Sequence, residues 1–287
     1  MTMQRAAAVM FTAALLLATP AVAQTAGDDP NPGSVTIAGG FDVVNAYHFR
    51  GIPQDEGNLG SIMWPYADLG FALFSGDGGV KSIGVNLGTW NSLHTGAVGL
   101  DGPSAKLWYE SDFYATLGFG FGGGTSVGVT YTAYVSPNNA FTSVKEVAFK
   151  FGVDDTPLLG GAAVRPYVLV AKELDTAPFV GQADGGLEAG TYMELGIAPG
   201  FAASRFSVAV PVKVGLSLSD YYEGAAGDER FGFFSLAGIV TVPFTSAPSR
   251  VGTWNVHGGI EYLRLGDRNQ GFGENQVVGS LGIGFTY

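Results

Sequence analysis

The sequence of 287 residues contains no cysteine and few basic residues, since 14 Lys and Arg stand against 25 Asp and Glu. Without cysteine the chain can form neither disulfide bonds nor thiolate metal sites. The formal net charge of -11 argues against nucleic-acid binding, because that binding depends on basic side chains that neutralise phosphates. We therefore expect no nucleic-acid partner.

Long apolar runs are also missing, except near the start of the chain. Arg5 precedes a twelve-residue apolar run at 6–17, and a small-x-small triplet follows at 21–23. The run is too short for a transmembrane helix, which needs about 20 apolar residues, and the whole pattern is typical of a cleaved export signal. We interpret 1–23 as a signal peptide, followed by a short periplasmic N-terminal segment at 24–33.

The rest of the chain is poor in charge, rich in glycine and free of useful helical periodicity. Charged residues make up 14% of the sequence, where about 25% is usual, and glycine accounts for 45 residues. Instead we find twelve alternating runs separated by clusters of Gly, Pro, Asn and Asp. The runs lie at 34–49, 61–74, 80–91, 106–120, 125–135, 142–153, 163–173, 186–198, 205–217, 231–243, 252–264 and 276–287.

The last of these runs indicates that the strands face two different solvents. Val277, Leu281, Ile283, Phe285 and Tyr287 fall on one side of an extended chain, and small residues fall on the other. An apolar side for lipid and a small, polar side for water are typical of a membrane β-barrel, whose closure satisfies the backbone hydrogen bonds. We predict an all-β fold, a 12-stranded antiparallel up-and-down transmembrane β-barrel over 34–287.

The connections between the runs alternate in length. Those after even-numbered runs are mostly short, as at 75–79 and 122–124, whereas those after odd-numbered runs are mostly longer, as at 92–105 and 218–230. Outer-membrane barrels have short turns on the periplasmic side and longer loops outside. We therefore expect the chain to lie in the cell outer membrane, surrounded by outer-membrane lipid, with both ends in the periplasm.

Aromatic residues on the outward faces fall into two groups, one at each end of the predicted strands. Two such belts are expected where amphipathic rings meet the lipid headgroups on both sides of a membrane. The periplasmic group consists of Phe119, Phe151, Phe206, Phe244, Trp254, Phe285 and Tyr287, and the outer group of Tyr47, Phe49, Tyr109, Tyr131 and Tyr262.

The same alternation assigns polar residues to the barrel interior, because a charge facing hydrocarbon costs about 2–4 kcal/mol at mid-membrane. The predicted pore-lining residues are Asp42, His48, Asp68, Asn86, Glu110, Asp112, Glu146, Lys150, Arg165, Glu188, Glu194, Arg205, Lys213, His257 and Glu261. An aqueous pore that favours cations is one interpretation of this acidic set, and a polar core of paired charges is the other. Inward glycines such as Gly88, Gly196 and Gly215 favour the pore, because they leave room.

The segment from Phe41 to Gly57, which covers the end of the first run and the start of the next connection, reads FDVVNAYHFRGIPQDEG. It resembles the first strand and loop of the TorF-type porins, bacterial outer-membrane proteins in which the first strand ends in an aromatic residue followed by Phe-Arg-Gly and a polar loop. The match is carried by Tyr47, Phe49, Arg50 and Gly51. The C-terminal aromatic Tyr287 resembles the signal that the barrel-assembly machinery recognises. The resemblance implies an outer-membrane location and a channel role, without a particular substrate.

Three patterns bear on enzymatic chemistry and cofactors. Glycines within 118–123 satisfy G-x-G-x-x-G, but they lead into a strand where a phosphate site needs a helix, so we predict a hairpin turn. Ser92 and His94, with Asn91, are candidates for a lipid hydrolase, although such groups seldom come from one short segment. The acidic loop at 218–230 has neither a histidine nor the ordered spacing of a Ca²⁺ loop, and the three histidines are too scattered for zinc. We expect no cofactor and no metal.

The leading hypothesis is an outer-membrane channel, without catalysis, for passive diffusion of small solutes through a polar, net acidic lumen. The alternative is a structural or adhesive barrel that binds an external partner through its long loops. A barrel-wall lipid hydrolase and a soluble periplasmic β-sandwich are further alternatives.

Overall fold

The computed structural model describes residues 33–54, 60–95, 106–174, 188–224, 227–244, 251–271 and 273–287. The predicted signal peptide and nearly all of the segment at 24–33 lie outside these ranges. The strands of the wall, numbered in chain order, are β1 (Val35–Val44), β2 (Ile62–Ser75), β3 (Val80–His94), β4 (Trp108–Phe121), β5 (Thr125–Val135), β6 (Val144–Val153), β7 (Tyr167–Glu173), β8 (Thr191–Ile197 and Gly200–Ala202), β9 (Ser207–Ala209 and Val212–Ser219), β10 (Phe231–Pro243), β11 (Thr253–Leu265) and β12 (Asn275–Thr286).

The twelve strands form a closed antiparallel barrel. Each strand pairs with the next, and the first and last strands pair with each other, with Asp42 of β1 opposite Gly282 of β12. Closure removes the unpaired edge that an open sheet would expose, so the described strands satisfy one another's backbone groups. The prediction of a 12-stranded antiparallel barrel is confirmed.

Two strands are interrupted by proline without opening the wall. β8 breaks around Pro199 and β9 breaks at Pro211, and pairing resumes beyond each break. Proline has no amide hydrogen to donate to a ladder, but its carbonyl still accepts. The amide of Val210 donates to the Pro199 carbonyl at 2.8 Å, and the amide of Ala237 donates to the Pro211 carbonyl at 2.9 Å. The wall is therefore continuous past both prolines.

The two faces of the wall have opposite chemistry. On the outside, Leu281 and Ile260 have exposed fractions of 63% and 66%, whereas on the inside Asp112 and Glu146 have exposed fractions of 1% and 2%. Apolar side chains are thus exposed and charged ones are enclosed, which is the arrangement that the alternating runs predicted. Among the described residues, no helix is both long and apolar enough to span a membrane.

The start of β1 and the finish of β12 lie side by side at one end of the barrel. We call this the terminal end and the opposite one the distal end. The backbones of Ile37 and Tyr287 exchange two hydrogen bonds of 2.7 Å there. Several described connections at the terminal end are compact. Residues Gly122–Gly124 join β4 to β5 with φ of 73° and 75° at Gly123 and Gly124, which confirms the hairpin turn. A short helix, α1 (Thr156–Leu159), follows β6.

The predicted aromatic belts are partly confirmed. At the terminal end Phe151, Phe206, Phe244 and Tyr287 are exposed on the outer face, and at the distal end Tyr131 and Tyr262 are exposed. The prediction is wrong for Tyr47 and Phe49, which are 1% and 3% exposed and lie inside the barrel. The prediction is also wrong for Tyr109, whose ring stacks on the enclosed ring of His94 with 4.5 Å between ring centroids.

The inward turn of the chain begins at Asn45, directly after β1. The side-chain oxygen of Asn45 accepts a hydrogen bond from the Gly279 amide at 2.7 Å, and its side-chain nitrogen donates to the Val277 carbonyl at 3.3 Å. The Asn45 side chain thus forms hydrogen bonds with β12 at the point where the backbone ladder between β1 and β12 ends. The backbone can therefore leave the wall, and the following aromatic residues enter the lumen instead of the lipid.

Candidate functional site

The lumen contains most of the residues that were predicted to line it. The inner face of the wall carries Asp42, Asp68, Asn86, Glu110, Asp112, Glu146, Lys150, Glu194, Lys213, His257 and Glu261. His48 is also enclosed, but it belongs to a loop rather than to the wall. Three predicted residues lie outside the strands: Glu188 and Arg205 are exposed in connections, and Arg165 is half-buried in the turn before β7.

A loop that we call the inner hairpin, residues 46–54, enters the distal end of the lumen. It pairs with itself as a short antiparallel ladder, and Arg50 and Gly51 form its two-residue turn with φ of 50° and 83°. Two successive positive φ values are characteristic of a type I′ hairpin, for which glycine is favoured. Glycine is also required for space, because a Cβ at position 51 would lie 2.8 Å from the Cβ of Phe233.

The turn of the inner hairpin carries Arg50 into a buried ion pair. Its guanidinium donates to the two carboxylate oxygens of Glu146 at 2.6 and 2.8 Å, and to the Tyr221 hydroxyl at 2.9 Å. The guanidinium carbon lies 4.1 Å from the ring centroid of Tyr192. Burial is the largest single effect and lowers the pKa of Arg50, but the Glu146 carboxylate and the neighbouring groups together raise this pKa well above its usual value. The guanidinium therefore stays charged.

A second loop, between β9 and β10, packs against the inner hairpin. The hydroxyl of Tyr222 donates to the Arg50 carbonyl at 2.9 Å. The loop is held by Ser217, whose hydroxyl donates to the Asp228 carboxylate at 2.8 Å and accepts from the Tyr221 amide at 3.1 Å. Burial raises the pKa of both tyrosines, so their hydroxyls remain protonated. The described part of this loop thus packs against the tip of the inner hairpin at the distal end.

Aromatic side chains fill the rest of the distal lumen. The ring of Tyr47 lies 5.4 Å from those of Trp64 and Trp90, and the ring of Phe49 lies 5.4 Å from that of Tyr134. A cavity of about 20 Å³ remains beside Trp64, which holds about one water molecule. The buried cluster consists of Val44, Tyr47, Phe49, Ile62, Trp64, Tyr134, Val144, Ala148, Ala171, Tyr192, Tyr221, Tyr222, Phe233, Leu263, Leu265 and Val278.

Nearer the middle of the lumen, tyrosine rings lie over glycines of the neighbouring strand. A Cβ at any of these glycines would overlap the facing ring, so the rings rest against the wall instead of crossing the lumen. Their hydroxyls are fixed by carboxylates, as Tyr114 donates to Asp68 at 2.8 Å and Tyr167 donates to Glu194 at 2.6 Å. The facing pairs are Tyr66 with Gly40, Tyr114 with Gly88, and Tyr167 with Gly196. We expected Gly88, Gly196 and Gly215 to leave open space in the lumen, and this expectation is wrong. Aromatic rings occupy the space beside all three glycines, and the ring beside Gly215 is that of Phe233.

The remaining charges in the middle of the lumen are mostly paired. His257 Nε2 lies 2.6 Å from Asp42 Oδ1, and the two side chains meet across Gly282 of the strand between them. Lys213 lies 3.7 Å from Glu261. These contacts agree with the interpretation of the lumen as a polar core that contains acid and base pairs.

The lumen is strongly acidic. Among the described residues it holds three Lys and Arg side chains, Arg50, Lys150 and Lys213, against eight carboxyl groups, Asp42, Asp68, Glu110, Asp112, Glu146, Glu173, Glu194 and Glu261. Sequence reasoning missed two members of this set: Arg50, which follows the end of the first run, and Glu173. The alternation of β7 was a sufficient signal for Glu173, because it follows Leu169 and Ala171 on the inner face.

Ser92 and His94 form a hydrogen-bonded pair inside the barrel. Ser92 Oγ lies 2.8 Å from His94 Nε2 and accepts from the Trp64 indole at 3.1 Å. The two side chains are 0% and 2% exposed, and Asn91 lies on the other face of β3. The pair is therefore enclosed in the lumen, not placed on the lipid-facing wall where a lipid hydrolase would need it. Within the described ranges, no group of three or more His, Asp or Glu side chains is arranged to hold a metal ion.

Comparisons with known proteins bear on the fold. No protein-family model matches the chain, and no curated protein matches it. Among solved structures, it is similar to the COG4313 outer membrane channel from Pseudomonas putida F1, with 11% identity over 92% of this chain and 100% of the other and a TM-score of 0.51. It also matches outer membrane phospholipase A from Escherichia coli, with 10% identity over 89% and 93% of the two chains and a TM-score of 0.42. At these identities the likeness concerns the fold alone: the chain has the fold of an outer-membrane β-barrel.

Proposed function

We propose that this chain is an outer-membrane channel for passive movement of small solutes, and that the inner hairpin closes its distal end in the conformation described above. The terminal end then faces the periplasm and the distal end faces the outside. The apolar outer face and the closed ladder support insertion in a membrane, and the compact terminal connections support this orientation. The proposal includes removal of 1–23 on export, outer-membrane lipid around the wall, recognition of the strand ending in Tyr287 by the assembly machinery, and no catalysis.

The observation that carries the proposal is that a loop, not the wall, makes the closure. The inner hairpin pairs only with itself in the described backbone ladders, and its tip is held by side chains through Glu146, Tyr221 and Tyr222. Such contacts can be exchanged without breaking the barrel, because loops open at a lower free energy than paired strands. Below the loop, the tyrosine rings rest against the wall.

A second candidate function is a structural barrel with a filled core. The packing of the distal cluster favours it, because sixteen buried apolar or aromatic residues form one contiguous core there. The two functions differ in what happens when the inner hairpin is removed, since only a channel gains permeability.

Replacement of 46–59 by a short Gly-Ser connection is expected to open the barrel. The wall tolerates this change geometrically, because Val44 pairs directly with Ile62 and a short turn can join β1 to β2. In planar bilayers, wild-type protein should show little steady conductance and the variant should show discrete open steps. A heat-modifiable gel shift confirms that both proteins are folded. A folded variant that stays silent would contradict the channel and favour the structural barrel.

Neutralisation of three lumen acids is expected to lower cation preference in that open variant. The changes are Asp68→Asn, Glu110→Gln and Asp112→Asn, which remove three of the eight carboxylates facing the lumen and so weaken its negative field. The reversal potential under a salt gradient should move toward zero. Glu274→Gln is the matched control, because Glu274 pairs with Arg264 in an exposed position. An unchanged reversal potential in the triple variant would count against a selective acidic lumen.

A further inference from the structure

The pocket around the Arg50 guanidinium is built by the wall and by a second loop, with only Phe49 contributed by the inner hairpin. Glu146 belongs to β6, Tyr192 to β8 and Tyr221 to the loop between β9 and β10. Glu146 is further oriented by the Tyr134 hydroxyl, which donates to Oε1 at 3.4 Å. Because these groups belong to elements other than the inner hairpin, its withdrawal would vacate the site without removing them.

A vacated site favours a replacement cation. Withdrawal of Arg50 removes the two charge-assisted hydrogen bonds that the Glu146 carboxylate accepts, and loss of a counter-charge is unfavourable for a carboxylate inside a protein. Two further carboxylates, Glu110 and Asp112, are 3% and 1% exposed in the same distal lumen. Their atoms Glu110 Oε2 and Asp112 Oδ1 are buried and receive no hydrogen bond from the described residues. The distal lumen therefore has more buried carboxyl groups than Arg50 alone can pair with.

The geometry of the site selects among cations. Two parallel N–H donors reach the two oxygens of Glu146, and an aromatic ring covers the guanidinium plane at 4.1 Å. A planar, forked cation matches this arrangement, whereas an ammonium group provides a point charge without the fork. Aromatic rings also favour an enclosed organic cation over a hydrated metal ion.

We propose that the distal lumen is a binding site for solutes that carry a guanidinium group, and that Arg50 occupies this site as an internal ligand while the barrel is closed. The proposal rests on the proposed channel function and names the class of solute that the channel takes. A guanidinium solute competes with Arg50 for Glu146, so its binding and the withdrawal of the inner hairpin favour each other.

Binding is tested on Arg50→Ala, in which the internal ligand is missing. Folded full-length protein in detergent is heated with methylguanidinium or with methylurea, which has nearly the same shape but no charge. We expect methylguanidinium to raise the unfolding midpoint saturably, by about 2–4 °C, and methylurea to leave it unchanged. The shift should disappear in Arg50→Ala/Glu146→Gln. Arg264→Ala, which breaks an exposed ion pair, is the matched control and should respond to neither compound.

Arg50→Gln keeps the test decisive if Arg50→Ala does not fold without ligand. In either variant, the proposal is supported by a saturable rise of the unfolding midpoint or by folding that requires methylguanidinium. It is overturned if neither variant shows either effect, or if methylurea has the same effect as methylguanidinium. Conductance is measured separately. Binding without any solute flux would remove the channel and keep the site, whereas flux without binding would keep the channel and remove the site.

Discussion

Glu146→Ala is expected to destabilise the barrel by about 3–5 kcal/mol, because it leaves a buried guanidinium without its counter-charge. Arg50 is 7% exposed and gives two of its hydrogen bonds, at 2.6 and 2.8 Å, to this one carboxylate. The chain can relieve the cost by withdrawing the inner hairpin into water. We therefore expect lower stability and higher conductance together in the same variant.

Urea unfolding followed by tryptophan fluorescence measures the first effect, and single-channel recording measures the second. Glu274→Ala is the matched control, because Glu274 accepts from Arg264 at 2.8 Å while 44% exposed. Exposed ion pairs contribute about 0–1 kcal/mol, so this variant should resemble wild type in both measurements. A Glu146→Ala barrel with wild-type stability and conductance would show that the ion pair does not hold the inner hairpin.

Gly88→Ala is expected to destabilise the barrel by about 1–3 kcal/mol through overpacking. A Cβ at position 88 would overlap the ring of Tyr114, which stands directly opposite on β4. The ring must leave the wall, and the 2.8 Å hydrogen bond from its hydroxyl to Asp68 is lost. The displaced ring also narrows the lumen, so open-state conductance should fall when the inner hairpin has been replaced.

Gly238→Ala is the matched control for this change. Gly238 also lies within a long strand, β10, but a Cβ there would meet no atom within 4 Å. Replacing such a glycine removes flexibility from the unfolded chain, so we expect stability to be unchanged or slightly raised. Equal losses of stability at the two positions would show that the ring and glycine pairs are not the cause.

The wall of this barrel could be predicted from the sequence because each strand has an apolar outer face and a polar inner face, and side chains alternate between them. Alternation with period 2 placed Leu281 outside and Asp112 inside, and the structure has both where the pattern put them. The short turn at Gly122–Gly124 was equally local, because successive glycines can adopt positive φ. These features depend on residues that are neighbours in sequence or in one strand.

The closure of the lumen could not be predicted, because it depends on contacts between distant segments. The alternating pattern of the first run continues to Phe49, although the chain leaves the wall after Val44. The departure is enabled by Asn45, whose partners Val277 and Gly279 belong to the last strand. The dipeptide Arg50-Gly51 was the available signal, since a glycine after a polar residue suits a tight hairpin turn. The buried partner Glu146 lies 96 residues away.

Sidedness of chemical labelling tests the central claim most directly. The chain has no cysteine, so Thr130→Cys provides a single thiol, placed on the inner face of β5 next to Thr116. In oriented vesicles, a charged, membrane-impermeant thiol reagent should reach this position from the terminal end and be blocked from the distal end. Replacement of 46–59 should remove that protection. Equal labelling of the otherwise unchanged barrel from both ends would contradict closure by the inner hairpin.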